Sequence, residues 1–475
     1  MNRKRKASLD NFKESKLCKF DFENDLNLKD LPLEIIANIL SFLDFKDIKN
    51  VTSTCKLLNQ MTNLVTIPLI NFRNFDLFQE SQIYEKKYAN RNFQFEKFKI
   101  TIMKILNRFD NINNLQFSSF QNFHVISRSP IPILRTISKK IKKTKKITLG
   151  NWVLRSNAFD KSSLDSYCTH LESLSMGPSN ISQNKNFENI FKNVSSWTQL
   201  TELTINCIVN VHVISSTLKK CINLKKLDLN GIEVTITNDS DINYGVSRRI
   251  ICHIINHCTK LKNLILPTCS YWTRSVSKYL LTSSLKLDVL CGSIIHYQPN
   301  RRYDENFVTQ IPYKNVLNNL THLQSENSNC HYGVPICNLK QIWLLSSISE
   351  KLVVFNCEWF FLLGKYIIKL SKICPNLKTL GGSCHSSNSD GYLLRLIRKF
   401  HPNLNNLYLN THPWNWFDED PVDSIGKAKI YMDEDDLLDI LQGFTQLKEI
   451  RLQNEIITDK TRQSIIDMGI DYIDV

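Results

Sequence analysis

Apolar positions along the chain follow two different rhythms. The first is confined to one short segment near the N-terminus, Leu31-Pro32-Leu33-Glu34-Ile35-Ile36-Ala37-Asn38-Ile39-Leu40-Ser41-Phe42-Leu43. Ile35, Ile36, Ile39, Leu40 and Leu43 recur at steps of three and four, which puts them on one broad face of a helix. Pro32 fits the first helical turn, where its missing N–H has no helix partner to lose. Asp44 to Asp47 breaks the pattern, and Asp47 is a suitable N-cap for a second helix. Ile48, Val51, Cys55 and Leu58 then resume helical spacing, up to about Met61. Helices this short do not hold together alone in water. Their apolar residues exceed what a two-turn helix hides in its own hairpin, so they need a partner helix or a packing surface.

The second rhythm is a recurring signature: apolar, two variable, apolar, one variable, apolar or small. It starts at Ile112, Leu171, Leu200, Leu224, Leu261, Leu404 and Leu447, with a shortened copy at Leu377 and weaker copies at Leu287, Leu320 and Leu352. Leu261-x-x-Leu264-x-Leu266-x-x-Cys269 is the most complete. From Leu171 to Leu447 the spacing averages about 31 residues, at or slightly above the range of known short solenoid repeats. Upstream of several signatures lies a helical stripe. Ile250, Ile251, Ile254, Ile255 and Cys258 form one, and Tyr366, Ile367, Leu370, Ile373 and Cys374 another. Leu437, Leu438, Leu441 and Phe444 form a third, behind Asp433 to Asp436, where acids favour a helix N-terminus. The unit is therefore helix, tight turn and short strand. One such strand cannot cover its own apolar face, but stacked copies bury theirs jointly. Glu358-Trp359-Phe360-Phe361 is expected to be buried helix.

Composition narrows the class. The 475 residues are 42% hydrophobic and 22% charged, enough to bury a core. The formal charge of +15 excludes an acidic solvating protein and leaves room for an anionic partner. Arg3 to Lys6 is a basic start with no apolar stretch behind it, so no secretory signal is expected. No stretch reaches the length of a membrane span; the closest, Leu352 to Leu363, is short and carries Glu358. A soluble intracellular protein with reduced cysteines follows, in the cytoplasm, the nucleus or both. No C-x-x-C pair occurs among the 14 Cys, so a zinc module of ordinary spacing is not expected.

Leu31-Pro32-x-Glu34-Ile35-Ile36-x-x-Ile39-Leu40-Ser41-Phe42-Leu43, with Asp47-Ile48 and Val51 to Cys55-Lys56, resembles the F-box. The array behind it resembles the repeats of F-box/leucine-rich-repeat proteins. The resemblance implies an α/β fold: an N-terminal three-helix F-box, then a curved right-handed leucine-rich-repeat solenoid with parallel strands on the concave face. It divides the chain into a flexible basic tail (1–26), the F-box (27–66), a connecting or first partial repeat segment (67–108) and the solenoid (109–475). It implies a non-catalytic substrate-recognition adaptor of a Skp–cullin–F-box ubiquitin ligase. The F-box would bind a Skp-type adaptor through Leu31, Pro32, Glu34, Ile35, Ile39, Leu40 and Leu43, and through it a cullin; the repeats would hold the protein target. No cofactor is implied. Many F-boxes carry Trp where this chain has Leu58, which keeps an apolar residue at that place. A leucine-rich-repeat scaffold or inhibitor that does not support ubiquitination is the alternative.

Other candidates each have a plain structural reading. Cys168, Cys221, Cys258 and Cys374 each sit three residues before a repeat Leu, as small buried fillers at a helix-to-strand corner would. A catalytic thiol would be a single Cys beside a base. His253 and His257 are one helical turn apart, as two metal ligands or as an exposed helix side; no H-E-x-x-H motif is present. Lys139, Lys140, Lys142, Lys143, Lys145 and Lys146 form a basic run that suits an anionic partner or a solvated surface. The run lacks interleaved aromatics, so nucleic acid is not expected. Trp414, Trp416 and Phe417 lie in the longest interval between repeats, beside Asp418-Glu419-Asp420, as a recognition loop or a cap on the solenoid.

Overall fold

The structure is a computed structural model. It describes residues 144–149, 170–179, 197–209, 211–230, 233–234, 240–266, 279–280, 283–292, 314–325, 345, 348–385, 391–412, 434–453 and 457–473, together with 66–67, 70–71, 111–112 and 114–116 nearer the N-terminus. Every strand is short and every strand pairing is parallel. In chain order they are β1 (Thr66–Ile67), β2 (Ile70–Asn71), β3 (Asn111–Ile112), β4 (Asn114–Gln116), β5 (Lys146–Leu149), β6 (Ser173–Ser179), β7 (Glu202–Val209), β8 (Lys226–Asp228) and β9 (Glu233–Val234). They continue as β10 (Asn263–Ile265), β11 (Val289–Cys291), β12 (His322–Ser325), β13 (Val354–Phe361), β14 (Thr379–His385), β15 (Asn406–His412), β16 (Glu449–Gln453) and β17 (Asp471–Ile473). The helices described are α1 (Val211–Lys220), α2 (Ser240–His257), α3 (Lys314–Leu317), α4 (Gly364–Ile373), α5 (Tyr392–Phe400), α6 (Glu434–Gln442) and α7 (Asp459–Asp467).

One open parallel sheet of 15 strands runs from β2 to β17, its strands side by side in chain order except that β3 is skipped between β2 and β4 and β9 pairs with the end of β7. β1 and β3 form a separate pair. Parallel neighbours need a crossover between them. Here α1 follows β7, α2 precedes β10, α4 follows β13, α5 follows β14, α6 follows β15 and α7 follows β16. Helix, turn and strand thus stack in register along one axis, the architecture of a leucine-rich-repeat solenoid.

The register explains the sequence signature. Leu174, Leu203, Leu227, Leu264, Leu290, Leu323, Phe355, Leu380, Leu407 and Ile450 pair strand to strand in one unbroken line. All ten are buried, eight of them to zero exposure, so each is walled by its neighbours before and behind. The first signature leucine is buried as well, at Leu171, Leu200, Leu224, Leu261, Leu287, Leu320, Leu352, Leu377 and Leu404. Between these apolar positions stand the variable residues. β8, β10 and β11 show it plainly: their middle residues are buried and their outer two half-exposed.

Backbone hydrogen bonds fasten each repeat to the next at the same corner. The Lys225 carbonyl accepts from the N–H groups of Lys262 (2.8 Å) and Asn263 (2.9 Å), and the Lys262 carbonyl accepts from Asp288 (2.8 Å) and Val289 (3.1 Å). The pattern continues through Asp288, Thr321, Val353, Lys378 and Asn405. A carbonyl has two lone pairs, and here both are used. The turn before each strand repeats too: Leu224, Leu261, Leu352 and Leu377 each donate to the carbonyl three residues back.

The helical stripes fold inward as the periodicity predicts at most positions; Ile255, Ile373 and Leu438 are half-exposed instead, and Ile440 is buried where the stripe named Leu438. Tyr366, Ile367 and Leu370 of α4 are buried, as are Ile250, Ile251 and Ile254 of α2 and Leu437, Ile440 and Leu441 of α6. Glu434, Asp435 and Asp436 occupy the first turn of α6. The segment at Phe360 differs from expectation: it is strand. β13 runs through to Phe361, and α4 begins only at Gly364. A register shift against β14 lets β13 continue. Phe360 then packs edge-on against Phe355 at 5.1 Å between ring centroids and lies 5.7 Å from Tyr366, so buried aromatic area is gained without a helical turn. Two repeats escape the leucine signature. In β5 the first position is Thr144, buried at 1% exposure before Ile147, and β17 closes the sheet behind Ile470.

Candidate protein-docking surface

Two parts of the chain are candidates for binding: the N-terminal apolar segment and the repeat sheet. In the first, Leu31, Pro32, Glu34, Ile35, Ile39, Leu40 and Leu43 lie outside the described residues, as do Trp414, Trp416 and Phe417. The solenoid can be built from the residues upward.

On the sheet face opposite the leucine line, each of the strands β5–β8 and β10–β17 presents two side chains, one before and one after its centre, which is buried in all but β17. The first row runs Lys146, Ser173, Glu202, Lys226, Asn263, Val289, His322, Val354, Thr379, Asn406, Glu449, Asp471. The second runs Thr148, Ser175, Thr204, Asp228, Ile265, Cys291, Gln324, Asn356, Gly381, Tyr408, Arg451, Ile473. Most of these side chains are half-exposed; Thr379 and Gly381 are buried. Near the ends of the sheet the surface is ionic. Lys145 pairs with Glu172 at 2.8 Å and Lys146 with Glu202 at 3.7 Å. The described end of the basic run is thus matched by Glu172, just before β6, and by Glu202, at the start of β7. Tyr408 donates to Glu449 at 2.9 Å; burial together with that carboxylate pushes the phenol up to about 12.

The cysteines are placed as corner fillers. Cys221, Cys258 and Cys374 are each fully buried, and burial pushes each thiol up to about 12. Cys374 Sγ donates to the Ser349 carbonyl at 3.4 Å, in the corner of the preceding repeat. His401 takes the same corner position one repeat later, with Nε2 3.3 Å from the Ile367 carbonyl; burial lowers its pKa. Cys168 lies outside the described residues. None of the three described thiols, Cys221, Cys258 and Cys374, has the exposure or the depressed pKa of a nucleophile.

His253 and His257 stack at 5.7 Å on α2. Partial burial lowers the pKa of His253, and so do the positive charges of Lys219, His257 and Arg249 around it. A cationic surrounding opposes a bound metal cation, and no group of three or more potential metal ligands occurs among the described residues. No described helix is long and apolar enough to cross a membrane.

Comparison with known proteins adds one domain. Residues 28–65 match the F-box-like family, and all seven residues of the apolar segment named above fall inside that span. No curated protein matches. Similar solved structures include an internalin from Listeria monocytogenes, at 13% identity and TM-score 0.34 over 80% of this chain and 94% of that one. A TLR13–ssRNA13 complex is similar at 11% identity and TM-score 0.33 over 78% of this chain, which spans 43% of the receptor chain. The chain carries a segment that matches the F-box-like family and, behind it, the stacked parallel repeat sheet described above.

Proposed function

We propose that this protein is a substrate-recognition adaptor of a Skp–cullin–F-box ubiquitin ligase, working in the cytoplasm and/or nucleus. The observation that carries this reading is the F-box-like match at residues 28–65 on the same chain as a long repeat sheet. Leu31, Pro32, Glu34, Ile35, Ile39, Leu40 and Leu43 form the contact with a Skp-type adaptor, which links the chain to a cullin. The solenoid holds the protein target on its sheet face, with Trp414, Trp416 and Phe417 contributing from the long interval before α6. Rate enhancement comes from tethering, which raises the effective concentration of target lysines near the charged conjugating enzyme. This chain supplies no nucleophile, in keeping with the deep burial of Cys221, Cys258 and Cys374.

The alternative is a scaffold or inhibitor that holds a partner without passing it to the ubiquitin machinery. Reconstitution separates the two. Purified chain, Skp-type adaptor, cullin–RING module and conjugating enzyme are incubated with a partner co-purified with the chain. The adaptor reading expects ubiquitin on the partner, lost in the Ile35→Asp/Leu40→Asp variant. Partner binding with no ubiquitin transfer by wild type favours the scaffold.

A further inference from the structure

Formal charge is distributed unevenly over the sheet face. On β5 to β8 with β16 and β17, the two outward rows offer twelve positions, and seven are charged: Lys146, Glu202, Lys226, Asp228, Glu449, Arg451 and Asp471. On the six strands between, β10 to β15, the same rows offer twelve positions and none is Lys, Arg, Asp or Glu: Asn263, Ile265, Val289, Cys291, His322, Gln324, Val354, Asn356, Thr379, Gly381, Asn406 and Tyr408. Charged residues are 22% of the chain, so an uncharged run of this length sets this stretch of the face apart.

The window also has a relief. Thr379 and Gly381 are buried, which makes β14 the floor between the half-exposed side chains of β13 and β15. A side chain at Gly381 would overlap the amide of Asn356, so the glycine leaves room for that amide to lie across β14. The Oδ1 of Asn356 is buried there and meets no hydrogen-bond donor. A buried acceptor without a partner is costly, and turning the half-exposed Asn356 side chain so that its amide oxygen meets a donor of a bound chain removes the cost.

We propose that the window from β10 to β15 docks an uncharged stretch of a target protein, extended across the strands, with a side-chain or backbone N–H donating to Asn356. This deepens the reading of the solenoid as the target-holding part and rests on it. Six strands span about 24 Å, room for roughly seven extended residues. An acidic or basic segment would leave its charges half-desolvated against two rows with no counter-charge of their own, the nearest described pair, Lys262–Asp288, being already matched at the rim, so it is rejected. Ion pairs play no part, and the affinity is insensitive to salt.

The test uses the full-length chain, immobilised by a terminal tag, and a synthetic library of random ten-residue peptides. Wild type is expected to retain peptides in which Asp, Glu, Lys and Arg are depleted at least threefold, with less than a twofold change in affinity between 50 and 300 mM salt. Gln324→Lys is expected to select an acidic residue at one position and Val354→Glu a basic one, whereas Ser175→Glu, outside the window, leaves the selection as in wild type. Retention of charged peptides by wild type, retention of none, or an unchanged selection in both window variants would overturn the proposal. Capture of a purified Skp-type adaptor is measured on the same resin. Its failure counts against the ligase reading alone, and an absent peptide selection against the window alone.

Discussion

Leu264 sits in the middle of the leucine line, paired with Leu227 on one side and Leu290 on the other, all three at zero exposure. Replacing it with Ala removes about three methylene-sized groups, each contributing about 0.8 kcal/mol by burial. The walls on both sides belong to neighbouring repeats whose strands are held by the corner carbonyls, so the cavity cannot collapse. With the cavity term, the cost comes to about 4 kcal/mol, toward the upper part of the usual range for Leu→Ala. In a repeat array this loss falls mainly on the repeat and its neighbours. Amide hydrogen exchange followed by mass spectrometry resolves it. Peptides covering β8, β10 and β11 should lose protection by about two to three orders of magnitude, while those covering β15 and β16 keep theirs. A loss below about 1 kcal/mol, or one spread evenly from β6 to β17, would refute the argument that each leucine is locked by its two neighbours.

Further outcomes follow from single sites. Gly292 has a φ of +107°, and a Cβ there would overlap the Leu266 carbonyl, so Gly292→Ala should destabilise by about 1–3 kcal/mol in chemical denaturation; Gly469, at φ +79° with open space around it, should tolerate Ala better. Cys221, Cys258 and Cys374 should resist iodoacetamide at pH 8 in the folded chain, since a thiol pushed up to about 12 is thiolate in only about one molecule in ten thousand, and all three should label once urea unfolds the array. His401 is held neutral by burial, so the unfolded chain binds a proton more readily than the folded one. Its contribution to stability is therefore present above the ordinary histidine range and lost as pH falls below it, and His401→Gln should flatten that part of a melting-temperature profile between pH 7.5 and 5.5.

How much of this was legible in the sequence depends on the residue. The signature leucines led directly to the sheet because a parallel stack buries the same position of every repeat, and even the weak copies at Leu287, Leu320 and Leu352 form strands. The repeat at β5 was hidden because Thr144 takes the place of its first leucine, which a search for apolar residues passes over. Phe360 misled because a dense aromatic cluster has no period; pairing with β14 decided for strand. The corner cysteines were readable from their constant offset before each leucine, and burial bears that out for the three described. His401 at the same corner was not, since one histidine among cysteines shows no pattern. The uncharged window was invisible for another reason: its twelve residues are scattered over nearly 150 positions, and only the strand register brings them side by side. The N-terminal apolar segment and the segment around Trp414 lie outside the described residues; the first is read from its pattern and the F-box-like match, the second from its pattern alone.

The most direct test of the central claim is a binding measurement between the purified full-length chain and a purified Skp-type adaptor, beside the Ile35→Asp/Leu40→Asp variant. Each substitution places an unpaired carboxylate in the proposed contact, at a cost of about several kcal/mol. The account predicts a stable complex with wild type and its loss in the variant, whose circular dichroism and melting temperature stay as in wild type because the solenoid is untouched. A folded wild-type chain that does not bind the adaptor, or a variant that binds it equally well, would contradict it.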